Sequence, residues 1–312
     1  MRFKHVNHAP FTILNMCCAS TLEPTQGPIV RRSRPYFGPI LRLRVNHNNV
    51  RYNANRTKTE KQGKLEDGTL ALTSTHVKAL TFDTGGTILD WHTGFRNAFA
   101  RVGAKHGFDR DWTKLANELR RRSLGLSINM GEHTIPEHNH DDSHRTALDE
   151  IIKENGLESF TPSDRRSIWW DAPHSLEVWP DFPKVLPKLR ENYICTSFTI
   201  LSYRMIIDTA KKNSLVWDAV LSCEGIGKYK PLPESYQTVS KLLRLEPSEC
   251  CMVACHNFDL DAAKSSGFKT AFVRRPNEWG SAGPPDPEPN PQHDIIANDF
   301  PDLARQLGIL IN

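Results

Sequence analysis

At 312 residues, 38% of them hydrophobic, the chain is long enough for one medium domain plus an insertion around a large core. Its formal net charge of +4 is uneven: residues 1–75 hold twelve Lys or Arg and four Asp or Glu, leaving a mildly acidic remainder, so nucleic-acid binding by the whole protein is not indicated. No apolar run reaches the ~18 residues of a membrane span, and the seven cysteines show neither zinc-site spacing nor a disulfide framework, which points to a reducing compartment.

In chain order, residues 1–75 lack sustained periodicity and are rich in Asn, Arg, Thr and Pro, the composition of a disordered basic extension. Scarce acids also suit a mitochondrial transit peptide, but Arg2 and Lys4 are the only cations in the first thirty residues, so a cytoplasmic location is the reading kept. An apolar run, Val77 to Phe82, then ends on Asp83, and Gly85 and Gly86 follow. That is how a buried parallel strand hands its last residue to a ligand site, although an aspartate there can also simply cap a turn.

Phe95, Phe99 and Val102 recur at helical spacing over 93–106, and Leu115, Leu119 and Leu124 do so over 111–126. A polar stretch carrying His133, His138, His140 and His144 reads as a solvated loop; it has no Cys, so no metal site is expected there. Helices are predicted over 145–157 and 163–176, so residues 92–180 form a helical block that reads as a cap domain inserted over the site. Alternation then resumes: a helix over 181–192, strands over 193–198, 217–222, 251–254, 270–273 and 294–297, and helices between and after them. Cys195 and Cys251 fall in these strands as small hydrophobes. Six strands alternating with helices predict an α/β fold, a doubly wound parallel sheet made of residues 76–91 and 181–312.

Asp83-Thr84-Gly85-Gly86-Thr87 resembles the first motif of the haloacid dehalogenase superfamily of hydrolases, in which the strand-terminal Asp is the nucleophile. Three further motifs occur in order. Thr199, after the strand at 193–198, fits the Ser/Thr of the second, with Ser197 as the alternative and a helix-capping hydroxyl as the plain structural reading. Lys230-Pro231 before a helix, with Tyr236 six residues on, resembles the third motif and is particularly similar to the type II (L-2-) haloacid dehalogenases. Asp259 takes the place of the acid in the fourth, Asp261 being better read as an exposed helix residue. Arg120, one of three adjacent arginines, falls within one residue of the cap arginine of those dehalogenases. The resemblance covers about residues 77–310.

The resemblance implies a small-molecule hydrolase with an anionic haloacid as substrate, no nucleic-acid or membrane partner, and a homodimer as the state to expect. Asp83 would attack the α-carbon and form an ester. Lys230 would keep it ionised, and Arg120 would neutralise the substrate carboxylate and departing halide. Asp259 would hold Lys230 and help place the hydrolytic water, Thr87 and Thr199 would hydrogen-bond the nucleophile or the substrate carboxylate, and Tyr236 would support Asp83 or Lys230. No cofactor or metal is needed. Trp91 is placed to line the pocket. Three positions depart from the type II pattern: Gly85 stands for an aromatic, Ile200 for an Asn, and His256 lies near where another Asn is usual. Gly85 also stands where superfamily phosphatases carry a proton-donating Asp. A phosphatase using magnesium between Asp83 and Asp259 and a non-catalytic binding module are the alternatives.

Overall fold

The computed structural model describes residues 76–131, 139–284 and 287–311; the basic stretch 1–75, together with His133 and His138, lies outside them. All six predicted strands form: β1 (Ala79–Phe82), β2 (Ile194–Thr199), β3 (Ala219–Ser222), β4 (Cys250–Ala254), β5 (Lys269–Val273) and β6 (Ile295–Ala297). Every pairing is parallel, in the order β3-β2-β1-β4-β5-β6. The residues of β1 and β4 are all buried, as expected of central strands covered on both faces. Phe82 anchors the core beneath them against Phe182, Trp217 and Phe300.

From β1 the chain builds outward through β2 and β3, then returns to the other side of β1 for β4, β5 and β6. The direction of winding therefore reverses at β1, and open α/β sheets bind ligands in the crevice this leaves beyond the carboxyl ends of the strands. Asp83 is the first residue past β1, and its amide donates to Val253 O of β4 at 2.9 Å.

Between β1 and β2 the described secondary structure is helical apart from isolated bridges: α1 (Trp91–Lys105), α2 (Trp112–Ser127), α3 (His140–Glu154), α4 (Pro162–Arg166) and α5 (Leu186–Arg190). The carboxylates of Asp90 and Asp111 cap α1 and α2, and Asn139 caps α3 by accepting from the amides of Asp141 and Asp142. That cap starts α3 at His140, five residues before the predicted start. The solvated-loop reading is thereby corrected for two histidines: His140 and His144, one turn apart, face inward and are buried. Burial pushes His144 down to about 3 and His140 well below the ordinary imidazole range, so both pack as neutral rings. The helix expected over 163–176 breaks after α4 into a wide π-type turn (Ser167–Asp171) and one 3-10 turn (Pro173–Ser175), Pro173 having no amide hydrogen to continue a helix. Of the helix expected over 181–192 only α5 forms: Pro183 and Pro187 have no amide hydrogen for a helix interior, and Pro187 falls in the first turn of α5, where none is needed; ahead of it the Asp181 carboxylate is held by Arg275 and by the amide of Phe300.

The later helices are α6 (Tyr203–Lys212), α7 (Cys223–Ile226), α8 (Pro233–Leu243), α9 (Asn257–Ser265) and α10 (Phe300–Gln306). Among the described residues no helix is long and apolar enough to cross a membrane.

Candidate active site

The crevice at the ends of β1, β2 and β4 gathers charge that the sheet buries. Asp83 Oδ2 accepts from the Thr87 hydroxyl at 2.7 Å, and Lys230 Nζ lies 3.4 Å from Asp83 Oδ1. The same ammonium is 2.7 Å from Asp259 Oδ2, and the Tyr236 hydroxyl donates to Asp259 Oδ1 at 2.7 Å. Asp83, Lys230 and Asp259 are all buried. Burial alone would raise the Asp83 pKa, but Lys230, then His256 and Thr87, outweigh it and hold the carboxyl well below the ordinary range. Burial likewise works against the Lys230 charge, and Asp259 and Asp83 more than offset it. Burial pushes Asp259, the other carboxyl on this ammonium, upward. The arrangement can present one permanently ionised carboxylate as a nucleophile.

A second charged group faces Asp83 from the opposite side. His256, two residues past β4, puts Nδ1 3.3 Å from Asp83 Oδ2 and Nε2 3.0 Å from Glu278 Oε1. Glu278 is buried and also accepts from Trp91 Nε1 at 2.9 Å. Burial opposes the imidazolium, but its neighbours Cys255 and Glu278 and the hydrogen bond to Asp83 lift its pKa well above the usual value. Burial opposes the Glu278 carboxylate as well, and His256 and Arg120 hold its pKa down. Cys255, His256 and Glu278 bring a thiol, an imidazole and a carboxylate within 4.8 Å of one another, a grouping that could take a metal ion. As placed, the group is closed on itself: His256 pairs with Glu278, Trp91 holds the same carboxylate oxygen, and burial pushes the Cys255 thiol up.

Of the three adjacent arginines, Arg120 is the buried one, and its Nη2 donates to Gly85 O at 2.9 Å. Arg121 turns outward to Glu118, and Arg122 pairs with Glu118, Glu150 and Glu154. A Cβ at position 85 would meet the Arg120 guanidinium at 3.0 Å, so the bare glycine leaves this space to the arginine. Trp91 carries the guanidinium over its ring at 5.3 Å.

Gly86 has φ +99°, and a Cβ there would overlap the Glu278 carboxylate. Gly86→Ala is therefore expected to lose roughly 1–3 kcal/mol of stability through backbone strain alone, with a matching fall in Tm. Gly125→Ala, in α2 with open space around it, serves as the control and should hold or raise Tm, since alanine favours a helix; equal Tm values for the two variants would refute the close approach.

Two expected contacts fall elsewhere. Tyr236 bonds Asp259 rather than Asp83 or Lys230, because α8 aims its ring between Phe198 and Phe268. Thr199 receives a hydrogen bond from Thr84 at 2.7 Å and from the Leu201 amide at 3.1 Å, and so reaches Asp83 only through the motif backbone. Ser197 accepts from the Leu221 amide, a sheet role. Ile200 is buried and offers no polar group, and Asp261 is partly exposed and bonds Asn290 and Gln292. Glu278 was not anticipated; its loop has no periodicity, and the one sequence signal was its neighbour Trp279, which packs edge-on against Trp91.

Residues 77–267 match the family model described as haloacid dehalogenase-like hydrolase. (S)-2-Haloacid dehalogenase 1 of Pseudomonas sp. (strain CBS-3) is 27% identical over 208 residues, covering 65% of this chain and 86% of that protein. (S)-2-Haloacid dehalogenase 4A of Burkholderia cepacia is 28% identical over 205 residues, covering 64% and 84%. Among solved structures, the defluorinating L-2-haloacid dehalogenase Rha0230 superposes with a TM-score of 0.68 at 33% identity, covering 74% of this chain and 95% of that one.

Proposed function

The chain belongs to the haloacid dehalogenase-like hydrolase family, and on that footing we propose that it hydrolyses the carbon–halogen bond of a small 2-haloacid through an ester on Asp83. The observation that carries this reading is the Asp83 carboxylate itself, buried, held ionised by Lys230, and flanked by a buried Arg120. Oδ2 is engaged by Thr87 and His256, whereas Oδ1, among the described residues, has the longer contact to Lys230, so Oδ1 is the freer oxygen for attack. It displaces halide from the α-carbon; Arg120 offsets the charge of the substrate carboxylate and of the leaving halide. The helical block 92–180 supplies Arg120 and Trp91 lies at its start, which supports its role as the cap.

One feature favours this reading over a magnesium-dependent phosphatase. Position 85, where a phosphatase carries its proton donor, is a glycine covered by Arg120, and an alkoxide leaves poorly without a proton. Halide needs none.

Incubation with L-2-chloropropionate in the presence of EDTA is expected to release chloride and form a 2-hydroxyacid at an undiminished rate. A folded protein that releases no chloride but cleaves p-nitrophenyl phosphate when magnesium is added would overturn the proposal.

A further inference from the structure

We propose that His256, oriented by Glu278, is the base that takes a proton from the water hydrolysing the Asp83 ester. This deepens the proposed haloacid hydrolysis and rests on it. Asp259 is poorly placed for the task, since both its oxygens are occupied at 2.7 Å, one by Lys230 and the other by Tyr236. His256 Nδ1, by contrast, faces the reacting carboxylate itself at 3.3 Å. Its other nitrogen meets a buried carboxylate held in place by Trp91. When the ring is neutral, Glu278 selects the tautomer with hydrogen on Nε2 and leaves the Nδ1 lone pair toward Asp83. A carboxylate that orients an imidazole and stabilises its cation is the arrangement by which enzymes make histidine a base.

The charges around the ring make its state depend on the reaction. Asp83, Glu278 and Cys255 face His256, with Lys230 beyond Asp83 and Arg120 beyond Glu278. In the resting site two carboxylates flank the imidazole and keep it protonated. Ester formation removes the Asp83 charge, so the imidazolium loses one of its two anions and yields its proton to solvent. Water then attacks Cγ of the ester while one of its protons passes to Nδ1. The tetrahedral adduct expels the hydroxyacid oxygen, which takes the proton from Nδ1. The carboxylic acid left on Asp83 returns its remaining proton to the ring. One halide, one proton and one hydroxyacid leave per water consumed.

The test uses the full chain, L-2-chloropropionate, rapid mixing and intact-protein mass spectrometry. His256→Asn, checked for folding by circular dichroism, is expected to release one chloride per protein in a burst. Turnover should then be about a hundredfold slower or worse, the scale of a lost general base, with the ester accumulating on Asp83. In Glu278→Gln, the pH at which ester hydrolysis rises should move lower, because the imidazolium has lost a stabilising anion; a merely structural role would lower the rate without moving that midpoint. Turnover by His256→Asn at the parental rate without ester, or a folded variant lacking even the first chloride, would overturn the inference. Absence of chloride release from the parent protein would instead strike the proposed function beneath it.

Discussion

Asp83→Asn is expected to abolish halide release, with a loss of roughly 10⁴-fold or more, as for removal of a covalent nucleophile. The neutral amide is nearly isosteric and can still accept from Thr87, so the fold should survive. Stability should shift as well, because the buried Lys230 would keep Asp259 but lose the second carboxylate. Chloride measured against time for parent and variant, with Tm for both, separates these effects. Residual activity within tenfold of the parent would place the nucleophile elsewhere.

Lys230→Met carries the second large effect. The ammonium is 1% exposed and stands between Asp83 and Asp259. Its removal leaves two carboxyls in one buried space, and breaking such a pair costs about 3–5 kcal/mol. At domains of this size that is roughly 10 °C in Tm. The sign with pH follows from the protonation. Asp83 keeps His256, so Asp259 is the carboxyl left without a cation, and its folded-state pKa, already raised by burial, climbs further above its unfolded value. Its protonated form stabilises the variant fully below the ordinary carboxylate range, and this support disappears as pH rises through the raised pKa. In the parent, Asp83 is held low and contributes above the ordinary range, losing that contribution only in stronger acid. The Tm gap between parent and Lys230→Met should therefore widen from about pH 4 to pH 7; a constant gap would mean that the ammonium does not bridge the carboxyls. Activity should fall as well, because Asp83 loses the ammonium that does most to hold its carboxyl low.

The sheet was legible because its strands are short apolar runs bounded by turn residues, and each was assigned to within two residues of its observed span. Asp83 was legible from the two glycines that follow its apolar run, and Lys230 through the resemblance of its Lys-Pro step before a helix to a superfamily motif. Legibility ended where side-chain direction depends on packing. The His-rich stretch reads as polar, yet the Asn139 cap sets the helix phase that turns His140 and His144 inward. Glu278 lies on a loop among Pro and Gly residues, and its meaning arises only when that loop closes over Gly86, a position with no side chain to keep it away. His256 was visible only as a departure from an expected Asn; that it joins two buried carboxylates is a property of the fold.

The central place of β1 has a consequence for how the protein reaches its working state. Residue 79 pairs with residue 194 on one side and with residue 250 on the other, so the strand that ends at Asp83 closes two long loops before it is fully paired. Such non-local parallel pairing is slow to form. Asp83, Asp259 and Glu278 are offset by Lys230, His256 and Arg120, three carboxylates against three cations, and withdrawing any of these carboxylates from water before its cations is costly. Their desolvation thus belongs to the final cooperative step of folding, and regain of halide release during refolding should trail the regain of helix signal.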